Sequence, residues 1–204
     1  MKIYFVRHGS TNQYENWICQ SDNEPLSQKG KLQAKELATR FKDTQLDLII
    51  SSPHARTLET AQAISSDVIT SDLFIEGKKP SEFVGGPMSD EKFLEFKKMA
   101  GEMYFTNPTW HYSDEENFED LKKRGLKALN FLTSQNKEDI LVVSHANFIA
   151  LMIGLMLFGK DFPVEISLKL KNFLRLSNTG VTICTYNENK WQLHCWNDTS
   201  HRLE

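Results

Sequence analysis

Short, mostly apolar runs recur along this chain and are separated by longer amphipathic segments. Three runs are four or five residues long and rich in branched or aromatic side chains, at residues 3–6, 46–50 and 140–143. Runs of this length and composition predict buried strands. Two later segments, residues 179–186 and 191–196, predict further strands.

Helical periodicity fills the stretches between the strands. Ser27 is a candidate N-cap for a helix whose apolar face includes Leu37 and Phe41. Further helical patterns occupy residues 53–64, 120–131 and 148–158. The alternation predicts an α/β fold with a mostly parallel central sheet and helices on both of its faces.

One segment, residues 67–118, is less regular than the rest and contains Gly-Gly-Pro at 85–87 and Asn-Pro at 107–108. We expect a single domain over residues 1–204 in which this segment forms a small inserted lid. Its aromatic side chains are expected to pack the lid onto the core rather than to line a pocket. They are Phe83, Phe93, Phe96, Tyr104, Phe105 and Trp110.

Composition excludes several classes of function. The formal net charge of −3 over 204 residues gives no reason to expect a nucleic-acid or membrane partner, and no apolar run is long enough to span a bilayer. The first residues do not resemble a signal peptide. Three widely spaced cysteines do not predict a disulfide framework, so we expect a cytoplasmic protein. Neither Cys-x-x-Cys nor His-Glu-x-x-His occurs, and no metal site or cofactor is predicted.

Cationic and imidazole side chains follow three of the predicted strands. Arg7 and His8 end the first strand, Arg56 lies shortly after the second, and His145 ends the third. The carboxyl ends of parallel strands share one edge of a sheet, where α/β proteins bind ligands, so these four side chains are expected to converge. Two guanidinium groups with imidazoles make a site for a dianion, most naturally a phosphoryl group.

The motifs that carry this chemistry resemble those of the histidine phosphatase superfamily, also called phosphoglycerate-mutase-like. They are VRHGST at 6–11, PLSQKG at 25–30, SSPHARTLETA at 51–61, VVSHA at 142–146, NTG at 178–180 and NDTSH at 197–201. The resemblance covers nearly the whole chain. It implies a phosphatase that acts on a small phosphorylated molecule through a phosphohistidine and needs neither metal nor cofactor.

The resemblance also implies roles for individual residues. His8 would attack phosphorus, while Arg7, Arg56 and His145 would hold the phosphoryl oxygens. An acidic side chain would protonate the leaving group and later deprotonate water. Relatives place this acid in a Glu-x-x-x-Gly pattern, where this chain has Glu76 but a proline in place of the glycine. Glu76 is therefore the predicted acid, and Glu82 is the alternative.

A second departure from the family pattern lies in the loop after the first strand. Many relatives have a phosphate-contacting asparagine six residues after the nucleophile, but Tyr14 stands there in this chain. Asn16 is therefore the candidate for that contact.

Two other functions fit the same motifs. One is a phosphoglycerate mutase-type phosphotransferase, which the short lid disfavours. The other is a non-catalytic module that binds a phosphorylated ligand. Such a module would be expected to lack a catalytic group, whereas His8, Arg7, Arg56 and His145 are all present. The sequence indicates neither the substrate nor the oligomeric state.

Overall fold

A six-stranded sheet forms the centre of the protein in a computed structural model that describes residues 1–203. The strands are β1 (Lys2–Arg7), β2 (Leu48–Ser51), β3 (Ile69–Thr70), β4 (Asp139–Ser144), β5 (Val181–Asn187) and β6 (Lys190–Asp198). They lie in the order β3-β2-β4-β1-β5-β6 across the sheet. Strands β3, β2, β4 and β1 are parallel, and β5 runs antiparallel to both β1 and β6.

Seven α-helices are found in the described residues. They are α1 (Asn12–Glu15), α2 (Gln28–Phe41), α3 (Ala55–Gln62), α4 (Glu91–Thr106), α5 (Phe118–Thr133), α6 (Ala146–Phe158) and α7 (Val164–Phe173). Ser27 caps α2 by accepting the Gly30 N–H, as its position predicts. No helix within residues 1–203 combines the length and the hydrophobicity that a bilayer-spanning helix requires.

Alternate residues of the central strands point to opposite faces of the sheet. Phe5 and Val142 belong to one core, which contains side chains of α5 and α6. Val6 and Val143 belong to the other, which contains side chains of α2 and α3. Helices therefore cover both faces, and the prediction of an α/β fold with a mostly parallel sheet is confirmed.

The register brings the chemistry-bearing strand ends side by side. Arg7 at the end of β1 pairs with Ser144 of β4, and Ser51 of β2 pairs with Val143 of β4. Backbone hydrogen bonds continue one residue beyond the strands, because the His8 N–H donates to the Ser144 carbonyl at 3.1 Å. The loops after β1, β2 and β4 consequently open at the same edge of the sheet.

Four elements have no counterpart in the sequence prediction: α1, β3, α4 and α7. Strand β3 is only two residues long, which is too short for a periodic signal. Helix α4 lies inside the segment expected to be irregular. Its buried residues Phe93, Phe96 and Ala100 have helical spacing, but exposed Leu94 and Phe105 obscure the pattern.

The segment at residues 67–118 contributes to two parts of the molecule. Its first residues join the sheet through β3, and Phe74 is fully buried in the core beside α5 and α6. Phe83, Phe93 and Phe96 form a separate apolar cluster. Backbone hydrogen bonds between Cys19 and Gly86 and between Met88 and Trp17 tie this part to the loop after β1.

Candidate active site

A cleft of about 1120 Å³ opens at the edge of the sheet where β1, β2 and β4 end. Arg7, His8, Arg56 and Glu76 line this cleft. His145 is fully buried beside it, with its ring centroid 5.2 Å from that of His8. The fold therefore brings together five of the seven residues to which the sequence assigned a role in the site. The other two, Asn16 and Glu82, do not line the cleft.

His8 presents a free ring nitrogen. Its Nδ1 lies 2.7 Å from the Gly9 carbonyl oxygen, which can only accept, so Nδ1 carries the proton and Nε2 keeps its lone pair. Burial, with further contributions from the Arg56 and Arg7 cations, holds the pKa of His8 well below its usual value. The imidazole is thus neutral near pH 7, which is the form that can act as a nucleophile.

The loop that carries His8 is held by close packing. The Gly9 N–H donates to Thr60 Oγ1 at 3.0 Å, and the Ser10 N–H donates to Gln33 Oε1 at 2.9 Å. A Cβ on Gly9 would lie 2.7 Å from the Gly30 carbonyl oxygen. Only glycine permits this approach, so the loop after β1 rests directly on the first turn of α2.

Two buried guanidinium groups flank His8. Arg7 donates to the Leu176 carbonyl at 2.5 Å, and its guanidinium carbon lies 4.8 Å from the centre of the Tyr14 ring. Arg56 donates to the Ser21 carbonyl at 2.7 Å. Among the described residues, nothing accepts a hydrogen bond from Nε of Arg7 or Arg56, although both atoms are buried. A buried charged donor without an acceptor is costly, which is the situation that an anionic ligand would relieve.

His145 organises one of these arginines. Its Nδ1 lies 3.3 Å from Arg56 Nη2, and because a guanidinium can only donate, Nδ1 accepts. The ring proton then lies on Nε2, which donates to Ser52 Oγ at 3.0 Å. The same Arg56 Nη2 also lies 3.1 Å from His54 Nδ1. Two imidazoles therefore fix the orientation of the Arg56 guanidinium.

The two candidate acids occupy different environments. Glu76 lines the cleft and sits at the N-terminus of α6, where its carboxylate accepts from the backbone N–H groups of Asn147 and Phe148 at 3.3 and 3.1 Å. His145 is the N-cap residue of α6, but its side chain makes no capping hydrogen bond, and the Glu76 carboxylate caps the helix instead. Glu82 is exposed, and it is not among the residues that line the cleft.

Asn16 also lies away from the cleft lining. It follows α1 directly, is exposed, and donates from Nδ2 to the Asn12 carbonyl at 2.8 Å. Tyr14, which occupies the family spacing, lines the cleft and packs against Arg7. The structure thus places the tyrosine, rather than the asparagine, next to the candidate phosphate site.

Several further residues line the cleft. From the sequence, Lys78 and Lys79 are expected to be solvated rather than to meet a second anionic group, whereas in the structure both line the cleft. The other residues were not singled out in the sequence. His54 and Asn178 lie inside the quoted motifs, which was the available signal, and Asn178 donates to the His8 carbonyl at 3.0 Å. The remaining cations that line the cleft come from distant segments without any motif: Lys171, Arg175 and Arg202.

Burial of neutral histidines makes stability depend on pH. Burial, with Arg56 and other nearby positive groups, lowers the pKa values of His8 and His145 well below normal. Below about pH 6.5 the unfolded chain binds protons at these rings while the folded chain does not. The free energy of unfolding should therefore fall with decreasing pH, by up to about 1.4 kcal/mol per pH unit for each ring.

Urea unfolding between pH 7.5 and 5 in phosphate-free buffer measures this dependence. His8→Gln should unfold with a smaller change over the same range, because one of the two rings is gone. An identical pH slope in the variant would show that His8 takes up a proton as readily in the folded protein as in the unfolded chain, which would contradict its lowered pKa.

Comparison with known proteins agrees with the site. The histidine phosphatase superfamily (branch 1) matches residues 3–199. A Hydrogenobacter thermophilus protein named as a candidate phosphoserine phosphatase is 28% identical over 189 residues, covering 89% of this chain and 87% of that protein. A probable phosphatase of Schizosaccharomyces pombe is 28% identical over 211 residues, covering 98% of this chain and 95% of that protein. A mutant phosphoserine phosphatase of Entamoeba histolytica, solved with phosphoserine, superposes with a TM-score of 0.78 at 26% identity over 99% of both chains.

The chain therefore belongs to the histidine phosphatase superfamily. It is a phosphomonoester hydrolase of the kind that works through a phosphohistidine. The predictions of the family and of phosphatase activity are confirmed.

Proposed function

We propose that this protein hydrolyses small phosphate monoesters by passing the phosphoryl group from the ester to His8 Nε2 and then to water. The observation that carries the assignment is a buried neutral imidazole with a free Nε2 between two buried guanidiniums whose Nε–H groups have no acceptor among the described residues. A phosphoryl group bound there supplies the missing acceptors and faces the nucleophile.

In the first step, His8 Nε2 forms a bond to phosphorus as the bond from phosphorus to the ester oxygen breaks. Arg7 and Arg56 balance the charge on the phosphoryl oxygens. His145 supports this step by orienting Arg56 rather than by contacting a phosphoryl oxygen, because both of its ring nitrogens already have hydrogen-bond partners. Glu76 gives its proton to the departing alkoxide, so that a neutral alcohol leaves.

In the second step, water attacks the phosphohistidine. Glu76, now a carboxylate, takes a proton from this water as its oxygen bonds to phosphorus. The bond between phosphorus and Nε2 breaks, phosphate is released, and His8 returns to its neutral form. The four donors around Glu76 are Gly77 N, Phe148 N, and the N and Nδ2 atoms of Asn147, and they hold its carboxylate in place between the steps.

The charge of the cleft supports an anionic small-molecule substrate. Seven lysine and arginine side chains line it, against the two carboxylates of Asp22 and Glu76. Such an excess of cations in a concave site raises the local concentration of anions. The names of the relatives support small phosphorylated metabolites as the class of substrate, and the three free cysteines support a reducing compartment such as the cytoplasm.

Chelation and vanadate together test this mechanism. Because arginines provide the positive charge, hydrolysis of p-nitrophenyl phosphate should be unchanged within about twofold by excess EDTA, with calcium-saturated EDTA as the control. Vanadate should inhibit competitively, since it adopts the five-coordinate geometry of the phosphoryl group in transfer. Loss of activity in EDTA that magnesium or zinc restores would overturn the proposal.

A further inference from the structure

A second cavity of about 390 Å³ lies beside the cleft and is lined by residues of the helices α4, α5, α6 and α7. Its walls include Phe96 and Tyr104 from α4, Leu121 from α5, Leu151 from α6 and Leu168 from α7. We refer to this space as the apolar cavity. Its volume lies within the range of small-molecule binding sites, which begins at about 300 Å³.

The apolar cavity adjoins the cleft. Glu76, Asn147, Lys78, Lys79 and Lys171 line both spaces. The candidate general acid thus stands at the junction, with the phosphoryl site on one side and the apolar cavity on the other.

This junction fixes where the leaving group goes. A general acid must lie within hydrogen-bond reach of the oxygen that it protonates, so the ester oxygen lies next to Glu76. The carbon attached to that oxygen then stands at the mouth of the apolar cavity. We infer that the apolar cavity holds the alcohol part of the substrate, and that this protein prefers phosphate monoesters of apolar aliphatic or aromatic alcohols. The inference rests on the proposed function.

Linear alkyl phosphates provide a direct test. Ethyl, butyl and hexyl phosphate have leaving groups of nearly equal basicity, so differences in kcat/KM report burial of the chain rather than chemistry. Full burial of a methylene group is worth about fourfold. We expect kcat/KM to rise steadily along the series, by at least tenfold from ethyl to hexyl phosphate.

Gly101 offers a way to fill the cavity without disturbing the fold. It lies in α4 and lines the apolar cavity, and a Cβ placed on it would meet no atom within 4 Å. Leucine is a better helix former than glycine, so Gly101→Leu should fold normally, which a thermal unfolding midpoint verifies. We expect the ratio of kcat/KM for hexyl to ethyl phosphate to fall at least tenfold in this variant.

The matched control is Glu102→Leu, which adds the same side chain one position further along α4, where it is exposed and outside both cavities. It should keep the wild-type ratio. A flat series in the wild type, or an unchanged ratio in folded Gly101→Leu, would overturn the inference while leaving the phosphatase assignment intact. If the protein hydrolyses neither p-nitrophenyl phosphate nor any member of the series, the proposed function itself is overturned.

Discussion

Replacement of His8 by alanine is expected to abolish the phosphoenzyme and to lower kcat for p-nitrophenyl phosphate on the order of 10⁵-fold, because no other group can take the nucleophile's place. The neighbouring imidazole His145 cannot substitute for it. Its Nδ1 faces Arg56 and its Nε2 donates to Ser52, so neither nitrogen offers a free lone pair. The test is to quench the protein during turnover of ³²P-labelled substrate and to map which residue carries the acid-labile label.

His145→Gln is the matched comparison, since it changes the other buried ring of the pair. This variant should still form labelled phosphoenzyme, at a rate lower by about 10²–10³-fold, because a hydrogen bond that orients the Arg56 guanidinium is lost. Label found on His145 in the wild-type protein would reverse the assignment. Thermal unfolding of both variants separates lost chemistry from lost structure.

Glu76→Gln is expected to produce the second large effect, and the size should depend on the leaving group. An alkoxide needs a proton on departure, whereas p-nitrophenolate hardly does, so turnover of an alkyl phosphate should fall by about 10²–10⁴-fold. Formation of phosphoenzyme from p-nitrophenyl phosphate should fall much less. Rapid-quench measurement of the first step with both substrates tests this difference.

Glu82→Gln provides the control for this prediction. Its side chain is exposed and outside the cleft lining, so both substrates should react at rates close to those of the wild type. The structure also explains why glutamine is the proper replacement for Glu76. The glutamine amide keeps an oxygen that can accept from the N-terminus of α6, which limits the loss of stability. A leaving-group-dependent defect in Glu82→Gln, with normal behaviour of Glu76→Gln, would exchange the two roles.

Strand ends and motif spacing were sufficient to predict the centre of the site. The runs before His8 and His145 are buried strands, and neighbouring parallel strands place their carboxyl ends together, so convergence of Arg7, His8, Arg56 and His145 follows from the pattern alone. Ser27 was likewise predictable, because capping depends on a few residues that are consecutive in the chain.

Features that depend on contacts between distant segments could not be predicted from the sequence. The tautomer of His8 depends on one carbonyl oxygen, and the approach of Lys171 and Arg202 to the cleft depends on how the C-terminal half folds back. Tyr14, rather than Asn16, lies in the cleft because the turn of α1 points the asparagine side chain back to its own helix.

Local periodicity and the motifs at strand ends were enough to predict the fold class, the family and the four residues expected around the phosphoryl group. The tertiary structure decided which glutamate faces the cleft and what lies beyond it. Glu76 is placed by four hydrogen-bond donors, three of them in the distant helix α6, and the apolar cavity exists only where four helices leave a gap. Neither arrangement has a periodic signal, since both arise from the packing of elements far apart in the chain.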